Sequence, residues 1–394
     1  MIKPRLWTKD FIFVCLGNFF VFNAFYILLV TLPIYAIDQV DSTNAEAGLL
    51  TTVFLVSAII IRPIAGYWLE KFGKKNVLVT ALVLFALPSI FYFVPETITG
   101  LLILRFIHGI GFGMATTATG AIVADIVPNS RRGEGMGYFI LSVNIAMVLG
   151  PFIGLTVMSQ WNTTVLFLIC IFSAFIALLS GFGITIARPK TVESGYSFRK
   201  TDLFEASAVP ISLIGGFYGF IYASILSFVS VYANQIGLMD VSNLFFVVYA
   251  AILLLSRPIT GKWYDLYGEN WIIYPSLILY GIGMFVLGTL DSAFLFIVAA
   301  ALIGIGWGTA SPSFQTIAVQ NAAPNRRGMA TATYLSIFDF GIGIGSFVVG
   351  FALNEISFQT IYQTESIIIF VGILIYYLIY GRYRSKLRQQ LPNN

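Results

Sequence analysis

Long apolar runs, each about 20 residues and separated by short polar breaks, govern what this 394-residue chain can fold into. The run VLVTALVLFALPSIFYFV at residues 77–94 is one of them. In hydrocarbon no water is present to pair the backbone, so a segment crossing the ~30 Å core must satisfy its own N–H and C=O groups as an α-helix. A membrane barrel would show shorter segments of alternating polarity, and these runs do not alternate. Composition agrees: 10% of residues are charged and 58% hydrophobic, against about 25% charged in soluble domains. The expected fold class is an all-α membrane protein.

Twelve spans are predicted, at about 10–36, 47–69, 76–94, 99–124, 135–158, 164–187, 206–233, 242–264, 271–290, 293–318, 329–353 and 361–381. Lys and Arg collect on one side of them. Lys3, Arg5 and Lys9 precede the first span, and Lys71, Lys74, Lys75, Arg131, Arg132, Arg188, Lys190, Arg199, Lys200, Arg326 and Arg327 fill loops on that side. Arg382, Arg384, Lys386 and Arg388 follow the last span, whereas the opposite loops carry acids such as Asp38, Glu96, Asp240 and Asp291. The positive-inside rule therefore predicts two cytoplasmic termini. The first apolar run, Phe11 to Tyr35, is too long for the core of a cleavable signal and reads as a span. The polar stretch around 188–205 reads as a cytoplasmic linker between six-span halves at 1–187 and 206–382, with 383–394 as a tail.

Two segments echo each other. Arg62, Pro63, Gly66, Trp68 and Gly73 match Arg257, Pro258, Gly261, Trp263 and Gly268 at a constant shift of 195, and Glu70 matches Asp265. At the same shift GIGFGMA (residues 109–115) meets GIGWGTA (residues 304–310), and the RRG at Arg131 meets that at Arg326. Coincidence at separated sites is a poor explanation; the chain reads as a duplication. Six spans separate equivalent positions, so the copies share an orientation. Parallel repeats of this kind carry a midplane substrate site at the repeat interface and expose it to each side in turn.

With these motifs the whole chain resembles the major facilitator superfamily, in particular its twelve-span drug:proton antiporters. The family pattern G-x-x-x-D-[RK]-x-G-[RK]-[RK] stands here as Gly66-Tyr-Trp-Leu-Glu70-Lys71-Phe-Gly73-Lys74-Lys75, with Glu in place of Asp. R-x-x-x-G-x-G matches Arg105 to Gly111, and the exporter-associated G-x-x-x-G-P-x-x-G stands as Ala146 to Gly154, with its first glycine replaced. The resemblance implies a conformational latch of Gly66, Glu70, Gly73, Lys74, Asp125 and Arg131, with Glu70 near the start of span eleven. Gly66 and Glu70 share a helix face, and the glycine lets a neighbouring helix approach. A topology-setting role for the lysines remains open beside this. The second copy replaces the basic trio by Leu266, Tyr267 and Glu269, so only the first is expected to be fully equipped. Gly150, Pro151 and Gly154 form a candidate hinge in span five, since proline removes a helix hydrogen bond; a kink serving packing alone is the other reading.

Ionisable groups inside the membrane are functional candidates by default. Asp339 lies 12 residues beyond Arg327, about 18 Å along a helix and so near mid-membrane, where it could take up and release a proton or make a structural hydrogen bond. Its counterpart at the shift of 195 is Asn144. Arg105, expected toward the outer third, could hold an anion or tune a carboxylate. His108, the single histidine, could relay protons or sit satisfied in the core. Arg62 and Arg257 read as snorkelling or pairing with Asp125 or Glu70, Glu355 and Glu365 as solvated near the outer surface, and Cys15 and Cys170 as small packing residues. If the resemblance holds, spans one, four, seven and ten line the cavity. Asn18, Phe22 and Tyr26, Tyr218 and Tyr222, and Trp307, Ser311 and Gln315 would then present aromatic and neutral polar faces to an amphipathic solute, unless they are packing stripes.

These features predict a secondary active transporter, with proton-coupled export of small amphipathic molecules leading and a specific sugar, metallophore or lipid carrier, possibly importing, as the alternative. An intramembrane enzyme lacks an acid or nucleophile cluster near His108 and any metal-ligand pair, and a non-transporting sensor is the remaining class. The expected partners are a small-molecule substrate, protons and the lipid bilayer, with no nucleic acid, no metal and no cofactor beyond a proton gradient. The expected setting is a monomer spanning a bacterial inner membrane.

Overall fold

A computed structural model describes residues 4–42, 44–185, 204–353 and 355–381. Residues 188–203 of the linker predicted at 188–205, and the tail at 383–394, lie outside the described residues. Helices account for the fold: α1 Lys9–Val40, α2 Asn44–Phe72, α3 Lys74–Ile90, α4 Ile98–Ile126, α5 Arg132–Gln160, α6 Thr163–Gly183, α7 Val209–Gln235, α8 Met239–Tyr267, α9 Glu269–Thr289, α10 Ala293–Gln320, α11 Arg327–Ala352 and α12 Phe358–Tyr376. No strand occurs among the described residues. Among the described residues eleven helices are long and apolar enough to cross a membrane as they stand. The twelfth is α8, which bends by 45° between Leu244–Arg257 and Ile259–Tyr267, where the sequence supplies a proline without a backbone N–H.

Helix ends follow local chemistry. Side-chain oxygens of Thr8, Thr97, Asn162, Ser292 and Ser357 accept from first-turn N–H groups of α1, α4, α6, α10 and α12, pairing donors that a helix start leaves orphaned. Gly73 and Gly268 join α2 to α3 and α8 to α9 at φ +87° and +89°. Glycine alone adopts this left-handed backbone without penalty, and the two glycines are equivalent in the repeat.

The chain forms two compact units. The first comprises Met1–Asn129, Tyr138–Glu205 and Ala322–Ser336; the second comprises Ser130–Gly137, Ala206–Asn321 and Ile337–Asn394. The opening turns of α5 and α11 therefore belong to a different unit from the remainder of each helix. In the first unit α4 packs on α1, α2 and α3, and α6 on α1 and α3. In the second unit α10 packs on α7, α8 and α9, and α12 on α7 and α9, so the duplicated sequence gives a duplicated packing scheme.

The glycine motifs explain these contacts. A Cβ on Gly111 would stand 2.5 Å from the Phe85 nitrogen of α3, and one on Gly113 would stand 2.6 Å from the Ala58 oxygen of α2. Their counterparts Gly306 and Gly308 would meet Tyr280 of α9 at 2.5 Å and Leu253 of α8 at 2.6 Å. Small residues permit helix backbones to close to this distance. The core of the first unit gathers Ile27, Leu28, Leu50, Tyr92, Phe167 and Cys170. Cys170 is buried and both cysteines are free thiols.

Candidate functional site

In the first unit four of the latch residues, Gly66, Glu70, Lys74 and Asp125, lie together where α2 meets the first turns of α11. Gly66 makes the approach possible: a Cβ there would lie 2.8 Å from Ala332 Cβ and 3.2 Å from Met329 Sδ. One helical turn on, Glu70 Oε1 accepts from the backbone N–H of Gly328 at 2.9 Å. That N–H belongs to the opening turn of α11, which has no intrahelical acceptor for it, and a carboxylate suits the positive end of a helix. Lys74 and Arg326 attract the Glu70 charge while Asp125 opposes it. Asp125 is itself held by Lys74 Nζ at 2.6 Å and by Arg327 Nη1 at 3.3 Å. Arg326 donates to Glu205 Oε2 at 2.7 Å.

The second unit holds the equivalent arrangement, which corrects the expectation that only the first copy is equipped. Asp265 Oδ1 accepts from Gly133 N at 2.8 Å and Oδ2 from Glu134 N at 3.3 Å, at the start of α5. Gly261 clears the way, since a Cβ there would stand 2.6 Å from Glu134 Cα. The shorter Asp needs no basic trio to reach two N–H groups. Arg131 belongs to this cap rather than to the Glu70 cluster: its Nε and Nη2 donate to Glu134 Oε2 and Oε1, each at 2.8 Å.

The duplicated arginines are also placed alike. Arg62 is buried and donates from Nη1 to Gly113 O at 3.4 Å, Thr116 Oγ1 at 2.7 Å and Thr117 Oγ1 at 3.3 Å, all on α4. Arg257 donates to the carbonyl of Gly308 on α10, the residue equivalent to Gly113. The expected snorkelling or pairing with Asp125 or Glu70 gives way to hydrogen bonds inside each unit, to threonine hydroxyls and the Gly113 carbonyl for Arg62 and to the Gly308 carbonyl for Arg257, because both arginines lie on the face that α2 and α8 turn toward the glycine-rich helices.

Arg105 and His108 meet through a residue that the sequence reading overlooked, Tyr92. Arg105 is 1% exposed. Its Nε donates to Leu50 O at 3.3 Å, its Nη1 to Tyr92 Oη at 3.5 Å, and its guanidinium lies 4.1 Å from the Phe54 ring centre. Tyr92 Oη is 2.9 Å from His108 Nδ1. His108 Nε2 has no hydrogen-bond partner, and the imidazole ring centre lies 4.3 Å from that of Phe85. Arg105 is thus interior to the bundle, surrounded by aromatic side chains.

The cavity candidates lie in aromatic and polar contacts within their own units. Asn18 donates to Ser142 Oγ at 3.1 Å and accepts from Thr119 Oγ1 at 3.0 Å, tying α1 to α5 and α4. Phe22 stacks on Tyr26 at 6.2 Å and meets Phe112 edge-on at 5.1 Å. The hinge glycines face the same helix: a Cβ on Gly150 would stand 2.5 Å from Tyr26 Cβ, and one on Gly154 2.8 Å from Thr31 Cγ2. α5 continues unbroken through Pro151. In the second unit Trp307 stacks on Tyr222 at 5.1 Å and on Phe338 at 6.1 Å, and Tyr218 on Phe314 at 5.7 Å. Gln315 is buried. Asp339, half-buried on α11, follows Phe338 in sequence.

Glu365 departs most from expectation. It is 5% exposed instead of solvated, whereas Glu355 is exposed. One stripe of α12 turns inward and carries Tyr362, Glu365, Ser366, Ile369, Gly372 and Tyr376. Spacings of three and four residues mark that stripe in the sequence, a signal that a count of distance from the membrane edge ignores.

The comparisons with known proteins agree with this architecture. The family model for the Major Facilitator Superfamily matches residues 14–322 and 211–394. An uncharacterized MFS-type transporter MJ1560 of Methanocaldococcus jannaschii is 26% identical, covering 87% of this chain and 92% of its own length. The quinolone resistance protein NorA of Staphylococcus aureus is 25% identical, covering 96% of this chain and 98% of its own. Among solved structures, the human organic anion transporter MFSD10 (TETRAN) superposes with a TM-score of 0.78 at 17% identity over 94% of this chain and 99% of that one. Duplicated packing, carboxylate-capped helix starts and family match together make this chain a membrane transporter, not an enzyme, and a member of the Major Facilitator Superfamily.

Proposed function

We propose that the protein exports small amphipathic molecules in exchange for protons, by alternating access. The observation that carries this reading is the similarity to NorA over nearly the full length of both chains. The aromatic faces built by Phe22 and Tyr26 on α1 and by Tyr222 and Trp307 on α7 and α10 suit a flat, apolar or cationic solute. Glu70 and Asp265 act as paired latches, each holding the first turn of α11 or α5 in one state of the cycle and releasing it in the other. The positively charged ends of the helices face the cytoplasm, the protein works as a monomer in a bacterial cytoplasmic membrane, and the proton gradient is the energy source. Asp339 is the candidate coupling carboxyl on α11.

The test is ethidium or quinolone flux in proteoliposomes containing the full chain, with the membrane potential clamped and a pH gradient imposed. Solute should move against its own gradient when protons move down theirs, and Asp339→Asn should reduce that accumulation while leaving insertion intact. No solute movement under a pH gradient, with the protein correctly inserted, would sink the reading.

A further inference from the structure

The geometry points to Glu365 as a proton-binding site in the interior of the second unit, carrying its proton in the conformation seen here and giving it up in another. Its surroundings lack the cation that a buried carboxylate requires. The helices packed on α12 are α7 and α9, and neither they nor α12 nor α10 contains any Lys, Arg or His. Two arginines of this unit are buried, Arg257 on α8, which binds the carbonyl of Gly308, and Arg132 at the start of α5, and neither α8 nor α5 is among the helices packed on α12; Lys262 is exposed. The polar groups facing Glu365 are neutral: Ser224 of α7, Tyr280 of α9 and Tyr362 of α12 itself.

Two oxygen–oxygen distances argue for the proton. Ser224 Oγ lies 2.7 Å from Glu365 Oε2 and 2.8 Å from the Ile221 carbonyl oxygen. A serine hydroxyl has one hydrogen, and the carbonyl can only accept. Both contacts are fully made when Ser224 donates to Ile221 and Glu365, as the acid, donates to Ser224. The tyrosines agree, since the Tyr280 and Tyr362 hydroxyls are buried without hydrogen-bond partners. An ionised carboxylate within their electrostatic reach would draw them in, because charge-assisted hydrogen bonds are roughly twice as strong as neutral ones.

The repeat supplies a contrast. The residue equivalent to Glu365 is Cys170, and those equivalent to Tyr280 and Tyr362 are Phe85 and Phe167. At that place the first unit holds a fixed cation, Arg105, against aromatic rings. The second unit holds an acid that can change charge. Seven residues into α12, about 10 Å from its start, Glu365 needs only a modest opening between α7 and α12 to meet water. Release then converts the carboxyl to carboxylate and passes H⁺ to that water; uptake reverses the step.

The proposal rests on proton-coupled transport for its role and on infrared spectroscopy for its existence, so the two can fail separately. In purified protein at neutral pH, a protonated-carboxyl band should be present that Glu365→Gln removes and Glu365→Asp shifts. No such band assignable to Glu365 would overturn the site. In proteoliposomes with clamped potential, each proton exchanged sustains about a tenfold solute gradient per pH unit. Glu365→Gln should therefore lower ethidium accumulation about tenfold per pH unit while solute counterflow, which needs no net proton movement, continues. Unchanged accumulation overturns the coupling role, as does loss of counterflow that Glu365→Asp fails to rescue. If the wild-type protein shows no pH-driven flux, proton coupling itself falls, and the infrared result alone decides whether Glu365 binds a proton.

Discussion

Removing the Glu70 carboxylate should loosen the start of α11 by an amount the structure allows to be worked out. Glu70 Oε1 accepts from Gly328 N at 2.9 Å, in the turn where a helix has no acceptor of its own. A hydrogen bond to a charged group contributes about 1.5–3 kcal/mol, and a carboxylate at a helix N-terminus about 0.3–1 kcal/mol. Against this, Asp125 repels Glu70, so its removal relieves some strain. A net cost of about 2 kcal/mol for Glu70→Ala follows, which is about a thirtyfold change in a local opening equilibrium. Glu70→Gln keeps an oxygen acceptor and loses only the charge, and should cost about 1 kcal/mol. The assay is amide hydrogen exchange of the segment holding Gly328, by mass spectrometry in lipid nanodiscs. Glu70→Ala should speed exchange there by about thirtyfold, with Glu70→Gln intermediate. Asp265→Ala is the internal control: it should leave the α11 segment protected and expose Gly133 and Glu134 at the start of α5. Equal protection of Gly328 in wild type and Glu70→Ala would refute the assignment of that carboxylate as a cap.

Other outcomes follow from the same geometry. Gly66→Ala must displace Ala332, whose Cβ is 2.8 Å from the new methyl group, and should destabilise by about 1–3 kcal/mol, seen as a lowered midpoint in a thermal-shift assay of detergent-solubilised protein. Tyr92→Phe removes the oxygen between Arg105 and His108 and should cost about 1–3 kcal/mol in the same assay, with transport of the surviving folded fraction unchanged. Asp339→Asn should lower pH-driven ethidium accumulation about tenfold per pH unit without affecting counterflow; accumulation at the wild-type level would remove Asp339 from coupling.

Much of the architecture was legible from the residues in order. Spans are local objects: an apolar run long enough to cross hydrocarbon can pair its backbone only with itself, so VLVTALVLFALPSIFYFV could be read as a helix without knowing its neighbours. The repeat was legible for the same reason, because equal residues at equal spacing meet equal partners: Gly113 and Gly308 both receive an arginine, and Gly73 and Gly268 both turn the chain at positive φ. The Glu70 cap was also within reach, since its glycine and carboxylate share one helix face.

What the residue order left open was which face each helix turns inward, and that is a property of several helices packed together. The sequence just after Asp265 lacks lysines, yet its partners are N–H groups of Gly133 and Glu134, 132 and 131 residues away. Arg62 looked able to reach a nearby acid, but the groove beside α4 offered Thr116 and Thr117 first. Glu365, placed by its distance from the end of the run, belongs to the inward stripe of α12 and is enclosed by α7 and α9. Hydrophobicity sets where a chain crosses the membrane, because that cost is summed along one segment. Whether a polar group on that segment meets lipid, water or a hydroxyl on another helix is settled only by the side chains that tertiary packing brings against it.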